Sequence, residues 1–244
     1  MILQNALKDK VAIITGSSRG IGRSIALMLA SYGAKVVLAA RDQNNLETLQ
    51  AEIKSSGGEA ICVPTDMSLE SDIQNLVTQT INAFGRLDIV VNNAGLGIYD
   101  PAEKTTTETW DKLLNVNARG PFILCREAIS HLRKQDRSFI INVSSVVGVR
   151  GYANQAAYTA SKHALMGFSK ALAKEVQPDG IRVHVLLPGG VDTDMLSLAR
   201  PDLDKSVLMK PEEIAEVVLF LVTRAGNATV DELLIRREAS VPWG

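Results

Sequence analysis

The chain has 244 residues, 46% hydrophobic and 22% charged, a length and balance suited to one α/β domain with a full core. Its 26 basic residues nearly cancel 27 acidic ones, so no overall field draws it to nucleic acid or an anionic membrane. No apolar stretch approaches the ~20 residues that cross a bilayer, and the first ten residues lack the apolar run of a secretory signal. We therefore expect a cytoplasmic protein with no membrane partner. Cys62 and Cys125 sit among apolar neighbours and read as small buried hydrophobes, and no residues show metal-ligand spacing.

Apolar runs rich in β-branched residues predict strands at 11–15, 35–39, 60–64, 87–92, 138–143, 181–187 and 233–235. Helical patterns fall between them at 21–32, 44–56, 69–84, 108–133, 154–176 and 211–223. Several strands are almost wholly apolar, as a parallel sheet covered on both faces requires. Gly33, Gly57 and Gly85 each follow a helical pattern, where a left-handed terminal residue is wanted. The repetition predicts one domain over residues 1–244, a doubly wound sheet of about seven parallel strands flanked by helices.

The first strand runs into Thr15-Gly16-Ser17-Ser18-Arg19-Gly20-Ile21-Gly22, which opens the first helix. Backbone amides there, with the helix dipole behind them, favour a dinucleotide pyrophosphate, and Gly16, Gly20 and Gly22 allow close approach. The spacing G-x-x-x-G-x-G departs from the commoner G-x-G-x-x-G. After the second strand an acid would bind a ribose 2′-hydroxyl, whereas arginine would accept a 2′-phosphate. Ala40 stands where the acid would be, Arg41 follows, and Arg19 is within reach of the same phosphate. This predicts NADPH/NADP+ rather than NADH/NAD+, unless the strand runs on and brings Asp42 into play. Further on, Tyr158 and Lys162 are four residues apart and share one helix face, so an ammonium lies beside a phenol and favours its ionised form.

These motifs, in this order, resemble the short-chain dehydrogenase/reductase family over roughly residues 8–223, with a Rossmann-like fold. The glycine loop is followed by Asp66, Asn92-Asn93-Ala94-Gly95, Asn117, Ser144-Ser145, Tyr158-x-x-x-Lys162, Pro188-Gly189 and Thr193. The resemblance implies a catalytic tetrad of Asn117, Ser145, Tyr158 and Lys162. Ser145 is preferred over Ser144 because it lies thirteen positions before the tyrosine, and Asn117 over Asn115 because Gly120 and Phe122 complete N-x-x-G-x-F. It also implies that Gly16, Ser18, Arg19, Gly20, Ile21, Gly22 and Arg41 hold the nucleotide phosphates, with Asp66 and Met67 at the adenine. Asn93, Ala94 and Gly95, then Pro188, Gly189, Val191 and Thr193, complete the cofactor set, with Thr193 on the nicotinamide carboxamide. Tyr158 and Lys162 touch the cofactor as well. Asn117 would anchor a water leading protons outward.

The implied reaction is NADPH-dependent reduction of a ketone or aldehyde to an alcohol, with Tyr158 as general acid. Substrate would be a small carbonyl compound or its alcohol. An acyl carrier protein is a second possible partner, through the cations Arg133, Lys134, Arg137 and Lys174, which would make the chain a 3-oxoacyl-acyl-carrier-protein reductase. An inactive NADP(H)-binding sensor is the alternative of another class. Apolar residues surround the helix at 156–173, predicting a homodimer or homotetramer. A substrate lid is expected around residues 192–210. His131, His163 and His184 read as packing or surface, Trp110 as packing at its helix start, and Tyr152 as either pocket or surface. The C-terminal residues 230–244 depart from the glycine-rich ending common in the family, which removes a template for that wall of the pocket.

Overall fold

The computed structural model describes residues 5–199 and 202–242. Residues 200 and 201 of the expected lid, and 1–4 and 243–244 of the expected domain, lie outside the described residues. Strands β1 (Val11–Thr15), β2 (Lys35–Ala40), β3 (Glu59–Pro64), β4 (Ile89–Asn92), β5 (Ser138–Val143), β6 (Ile181–Pro188) and β7 (Glu232–Ile235) form one sheet. It is parallel throughout, in the order β3-β2-β1-β4-β5-β6-β7. The helices are α1 (Gly20–Ser31), α2 (Gln43–Ser55), α3 (Glu70–Phe84), α4 (Thr107–Leu114), α5 (Gly120–Leu132), α6 (Ala156–Val176), α7 (Asp194–Ala199) and α8 (Pro211–Thr223). The seven-stranded doubly wound architecture expected from the sequence is the one observed.

Strand side chains divide by parity, as a pleated sheet demands. Ala12, Ile14, Val36 and Leu38 pack with Ile25, Leu29, Leu49 and Val218 under α1, α2 and α8. Val11, Ile13, Val37 and Val90 pack with Ile73, Leu76, Leu124 and Leu172 under α3, α5 and α6. The strand order reverses between β1 and β4, so the loops leaving their carboxyl ends splay apart and open a crevice.

The single helix expected at 108–133 is interrupted. A π-helical turn, Asn115–Arg119, separates α4 from α5. One extra residue in the turn leaves the composition helical, with no proline or glycine within the turn itself to mark the break. The helix expected from 154 starts at Ala156, because Asn154 takes φ 62° and cannot continue it. The short helix α7 was not anticipated.

The strand expected from residue 87 begins at Ile89, although the Asp88 backbone already bonds Val11 O and Phe139 N, and the Asp88 side chain is buried. It is 1% exposed and accepts hydrogen bonds from Arg86 Nη2 (2.6 Å) and Nε (2.8 Å), Lys10 Nζ (2.9 Å) and Val11 N (3.0 Å). Burial pushes this carboxyl up, but the Arg86, Val11 and Lys10 contacts outweigh it and hold it below the ordinary range. Its ionised form therefore adds stability that is present above the ordinary carboxylate pKa and lost as pH falls through the depressed one. Asp88→Ala should lower the unfolding free energy by about 2–3 kcal/mol in urea titrations, leaving two cations and a backbone amide without their acceptor. It should also flatten the loss of stability below about pH 4.

Candidate active site

The crevice is built first from backbone. Gly16 takes φ 66°, and a Cβ there would lie 2.8 Å from Ala94 Cα. On Gly22 a Cβ would collide with the Gly16 carbonyl and the Asn93 amide. The Asn93 amide donates to Thr15 O (2.9 Å) and Gly16 O (3.2 Å), while Thr15 Oγ1 accepts from Asn93 N and Ala94 N, both at 3.0 Å. The glycine loop is thereby clamped to the segment after β4. Arg19 precedes α1 without a side-chain cap, so the amides of Gly20, Ile21 and Gly22 lack intrahelical partners and face the crevice. Ser18 lies in the same loop.

At the next rim, β2 ends at Ala40, and the Asp42 carboxylate is occupied capping α2, accepting from Asn45 N at 3.0 Å and Asn45 Nδ2 at 2.7 Å. Arg41 is exposed, and its charge acts on Asp66. Burial raises the Asp66 carboxyl, but the hydrogen bonds from Ser68, with Arg41 and Lys112, bring it below its ordinary value. Met67 is buried beside it. Arg19, expected to share this phosphate region, instead pairs with Asp194 of α7 at 2.9 Å.

The four side chains expected to act together lie near one another beyond the carboxyl ends of β4 and β5. Tyr158 is 7% exposed and Lys162 4%. The Lys162 Nζ lies 6.0 Å from the Tyr158 ring centroid and donates to Val143 O at 3.0 Å. That bond leaves two of its three donors without a protein acceptor among the described residues. The Ser145 hydroxyl lies near enough to the phenol to favour its ionised form and accepts from Val147 N (3.3 Å). Ser144 is buried beneath, its hydroxyl 3.5 Å from Lys162 O. Asn117 is fully buried by the π turn, donating from Nδ2 to Leu96 O (2.8 Å) and Ser161 Oγ (3.0 Å) and accepting from Leu96 N (2.8 Å). Its side chain is thus held by the loop after β4 and by α6. Ser161 Oγ passes the contact on to Tyr158 O at 2.7 Å. Gly95 adjoins both groups: a Cβ there would lie 3.5 Å from Asn117 Oδ1 and 3.6 Å from Lys162 Nζ.

The electrostatics run against the simple expectation of an acidified phenol. Burial pushes Tyr158 well above the usual tyrosine range, Tyr99 adds to the rise, and Ser145 partly offsets it. The same burial pulls Lys162 down to about 8. Two groups escaped the sequence reading. Tyr99 stacks edge-on against Tyr158, centroids 5.5 Å apart, and joins Leu96, Ile98 and Val147 in an apolar wall. Ser161 bridges Asn117 to Tyr158. The signals available were an aromatic in the loop after Gly95 and a hydroxyl immediately before the lysine.

Opposite this wall, β6 ends at Pro188, and Gly189 N bonds Ile235 O at 2.8 Å. Val191 bridges to Met209, and the Thr193 methyl packs toward Gly20. Trp110 is exposed at 41% and borders a shallow cavity of about 310 Å³ with Ala156 and Ala157. Tyr152 is exposed. His184 is buried against Phe139, while His163 is exposed on α6. Cys125 is buried and its thiol pushed up to about 12 by desolvation, whereas Cys62 is only partly buried, less than expected. Among the described residues no cluster of metal-ligating side chains occurs, and no helix is long and apolar enough to cross a membrane.

A parallel sheet with an open helix terminus at its switch point defines a Rossmann-like α/β protein. Residues 10–204 match the short chain dehydrogenase family, and the chain belongs to that family of oxidoreductases. It is 39% identical to a 3-oxoacyl-[acyl-carrier-protein] reductase of Synechocystis sp., over 92% of this chain and 94% of that one. A Bos taurus protein of the same name is 40% identical over 83% of this chain and 82% of its own. Among solved structures, a metagenomic short-chain oxidoreductase in complex with NADP superposes with a TM-score of 0.84 at 37% identity, covering 95% of this chain and 99% of that one. An alcohol dehydrogenase from Thermococcus sibiricus complexed with 5-hydroxy-NADP gives 0.88 at 31% identity, covering 96% and 98%.

The lowered Lys162 value has a stability consequence. Between pH 8 and the ordinary lysine value near 10.4, the unfolded chain binds the proton that the folded chain has lost, so stability rises with pH in that window. Lys162→Met should remove this rise, read as a difference in urea midpoint between pH 7.5 and pH 10.

Proposed function

We propose that the chain is an NADP(H)-dependent oxidoreductase that reduces a ketone or aldehyde to an alcohol, with Tyr158 as the proton donor. The observation that carries this reading is a buried phenol, ammonium and serine hydroxyl gathered beside an uncapped, glycine-lined helix terminus. The residues present fit a dinucleotide. Free amides at 20–22, with Gly16, Ser18 and Arg19 around them, suit a pyrophosphate, and an unpaired Arg41 with no acid at position 40 suits a 2′-phosphate. Asp66 and Met67 would border the adenine, Asn93, Ala94 and Gly95 the ribose, and Pro188, Gly189, Val191 and Thr193 the nicotinamide. Bound NADPH supplies a hydride to the carbonyl carbon.

The chain's own groups do the rest. Ser145 orients the carbonyl oxygen and donates to it as negative charge develops. Tyr158 transfers its proton to that oxygen. A raised pKa keeps the phenol protonated at neutral pH, which is the form a donor needs, while Lys162, mostly charged at that pH, stabilises the phenolate left behind. Its remaining N–H donors suit a ribose hydroxyl. Asn117 holds Leu96 and, through Ser161, the backbone of Tyr158, so the donor stays in place.

NADPH consumption over a carbonyl panel should fall by about 10²–10⁴-fold in Tyr158→Phe. NADPH should raise the melting temperature more than NADH, in wild type and variant alike. Full turnover without the phenol, or a larger shift with NADH, would refute the donor or the nucleotide assignment respectively.

A second reading, reduction of 3-oxoacyl groups on an acyl carrier protein, is favoured by the names of the two relatives. Arg133, one of the cations expected to meet a carrier, is paired with Asp179 at 2.8 Å, and Arg137 donates to Arg224 O at 3.2 Å. Those contacts occupy one nitrogen of each guanidinium.

We also propose that α5 and α6 pair with a second copy. Phe122 stands exposed against Phe168, rings 5.8 Å apart, beside exposed Ala164 and Gly167. Phe122→Glu should shift light-scattering mass from oligomer toward monomer. An unchanged mass would place the contact elsewhere.

A further inference from the structure

The tail that departs from the family pattern packs against the segment that follows β6. Because Gly189 N bonds Ile235 O, residues 236–238 run beside the segment that follows β6. Two adjacent arginines then take different tasks. Arg236 donates through Nη1 to the carbonyls of Arg237 (3.1 Å), Glu238 (3.1 Å) and Ser240 (2.8 Å), wrapping the tail and fixing the backbone at 237. Arg237 instead lays its stem across Gly190. A Cβ on Gly190 would lie 3.1 Å from Arg237 Cδ, 3.3 Å from its Nε and 3.3 Å from Leu208 Cδ2. A side chain at 190 would crowd the arginine stem and force it to shift.

The adjoining glycine connects this position to the segment that carries Ser145. Gly189 faces Val146, the residue after Ser145, at 3.8 Å from a built Cβ, and Gly190 O accepts from Met209 N at 3.1 Å. Arg237 thus lies against Gly190, one residue on from the glycine that faces Val146. It is half-buried, and its guanidinium has no hydrogen-bond or ion-pair partner among the described residues. Carboxylates of the segment after β6 are engaged with other groups: Asp194 with Arg19 at 2.9 Å, Asp192 with Lys205 at 3.8 Å, and Asp204 with Ser206 at 2.6 Å. A partly desolvated guanidinium gains most from a carboxylate, whose two oxygens match its planar donor fork.

We propose that Arg237 binds a carboxylate on the substrate, so that the preferred substrates are oxo acids, carbonyl compounds carrying a free carboxylate. This rests on the carbonyl-reductase reading and narrows it. The carboxylate is unchanged in the reaction and serves to orient the ketone toward Ser145 and Tyr158.

The test compares 2-, 3-, 4- and 5-oxo acids with their methyl esters, using NADPH and wild type, Arg237→Ala, Arg237→Gln and Arg237→Lys. Wild type should prefer at least one acid over its ester. Arg237→Ala and Arg237→Gln should lose about 10- to 100-fold in kcat/KM on that acid, mainly through KM. The ester should stay within about twofold, and lysine should restore part of the loss. With NADP+ bound, the acid should raise the melting temperature of wild type but not of Arg237→Ala. Equal losses on acid and ester, or a preference for esters or neutral acyl thioesters, overturn the inference while carbonyl reduction stands. No NADPH-dependent turnover of any carbonyl overturns the functional reading and this inference with it.

Discussion

The amide of Asn93 spans the point where the sheet reverses direction, tying the end of β1 to the segment after β4. Strands β1 and β4 are neighbours, so their carboxyl ends would part as their chains turn to opposite faces of the sheet. One side chain, helped by the Thr15 hydroxyl, closes that gap with four hydrogen bonds. Close packing there explains why position 16 rejects a side chain. The same closeness brings Gly95 against Asn117 and Lys162. The cofactor crevice and the polar cluster are therefore two sides of one packed junction.

At that junction, burial dominates charge. The spacing of Tyr158 and Lys162 suggests an ammonium acidifying a phenol, yet both groups are almost wholly removed from water. Desolvation disfavours the charged form of each, raising one and lowering the other. At neutral pH such a site holds a protonated phenol beside an ammonium that gives up its proton more readily than usual, and it becomes an ion pair as the phenol gives up its proton. Tyr99 contributes by excluding water from the phenol's edge.

Strand and helix positions were legible because each strand needs two apolar faces and each helix one apolar stripe, demands written locally in residue order. The glycine loop and Tyr158-x-x-x-Lys162 were legible for the same reason, as short segments whose spacing carries their geometry. What stayed hidden depends on contacts between distant segments. Tyr99 reaches Tyr158 only through the fold, and Ser161 becomes a bridge only because the π turn delivers Asn117 to it. Asp88 reads as part of a strand until Arg86 and Lys10 converge on it. Arg237 lies in a tail whose path depends on pairing with β6.

The π turn at Asn115–Arg119 also lets one nearly continuous rod serve two partners. An α-helix advances about 100° per residue, so an inserted residue re-phases the rod. α4 then faces α6, while α5 faces α3 and the sheet. Gain or loss of a single residue in this stretch would swing the aspect of α4 away from α6 or turn α5 off the sheet. Chain length between Thr107 and Leu132 is accordingly a fixed dimension of the molecule, tolerant of substitution but not of insertion or deletion.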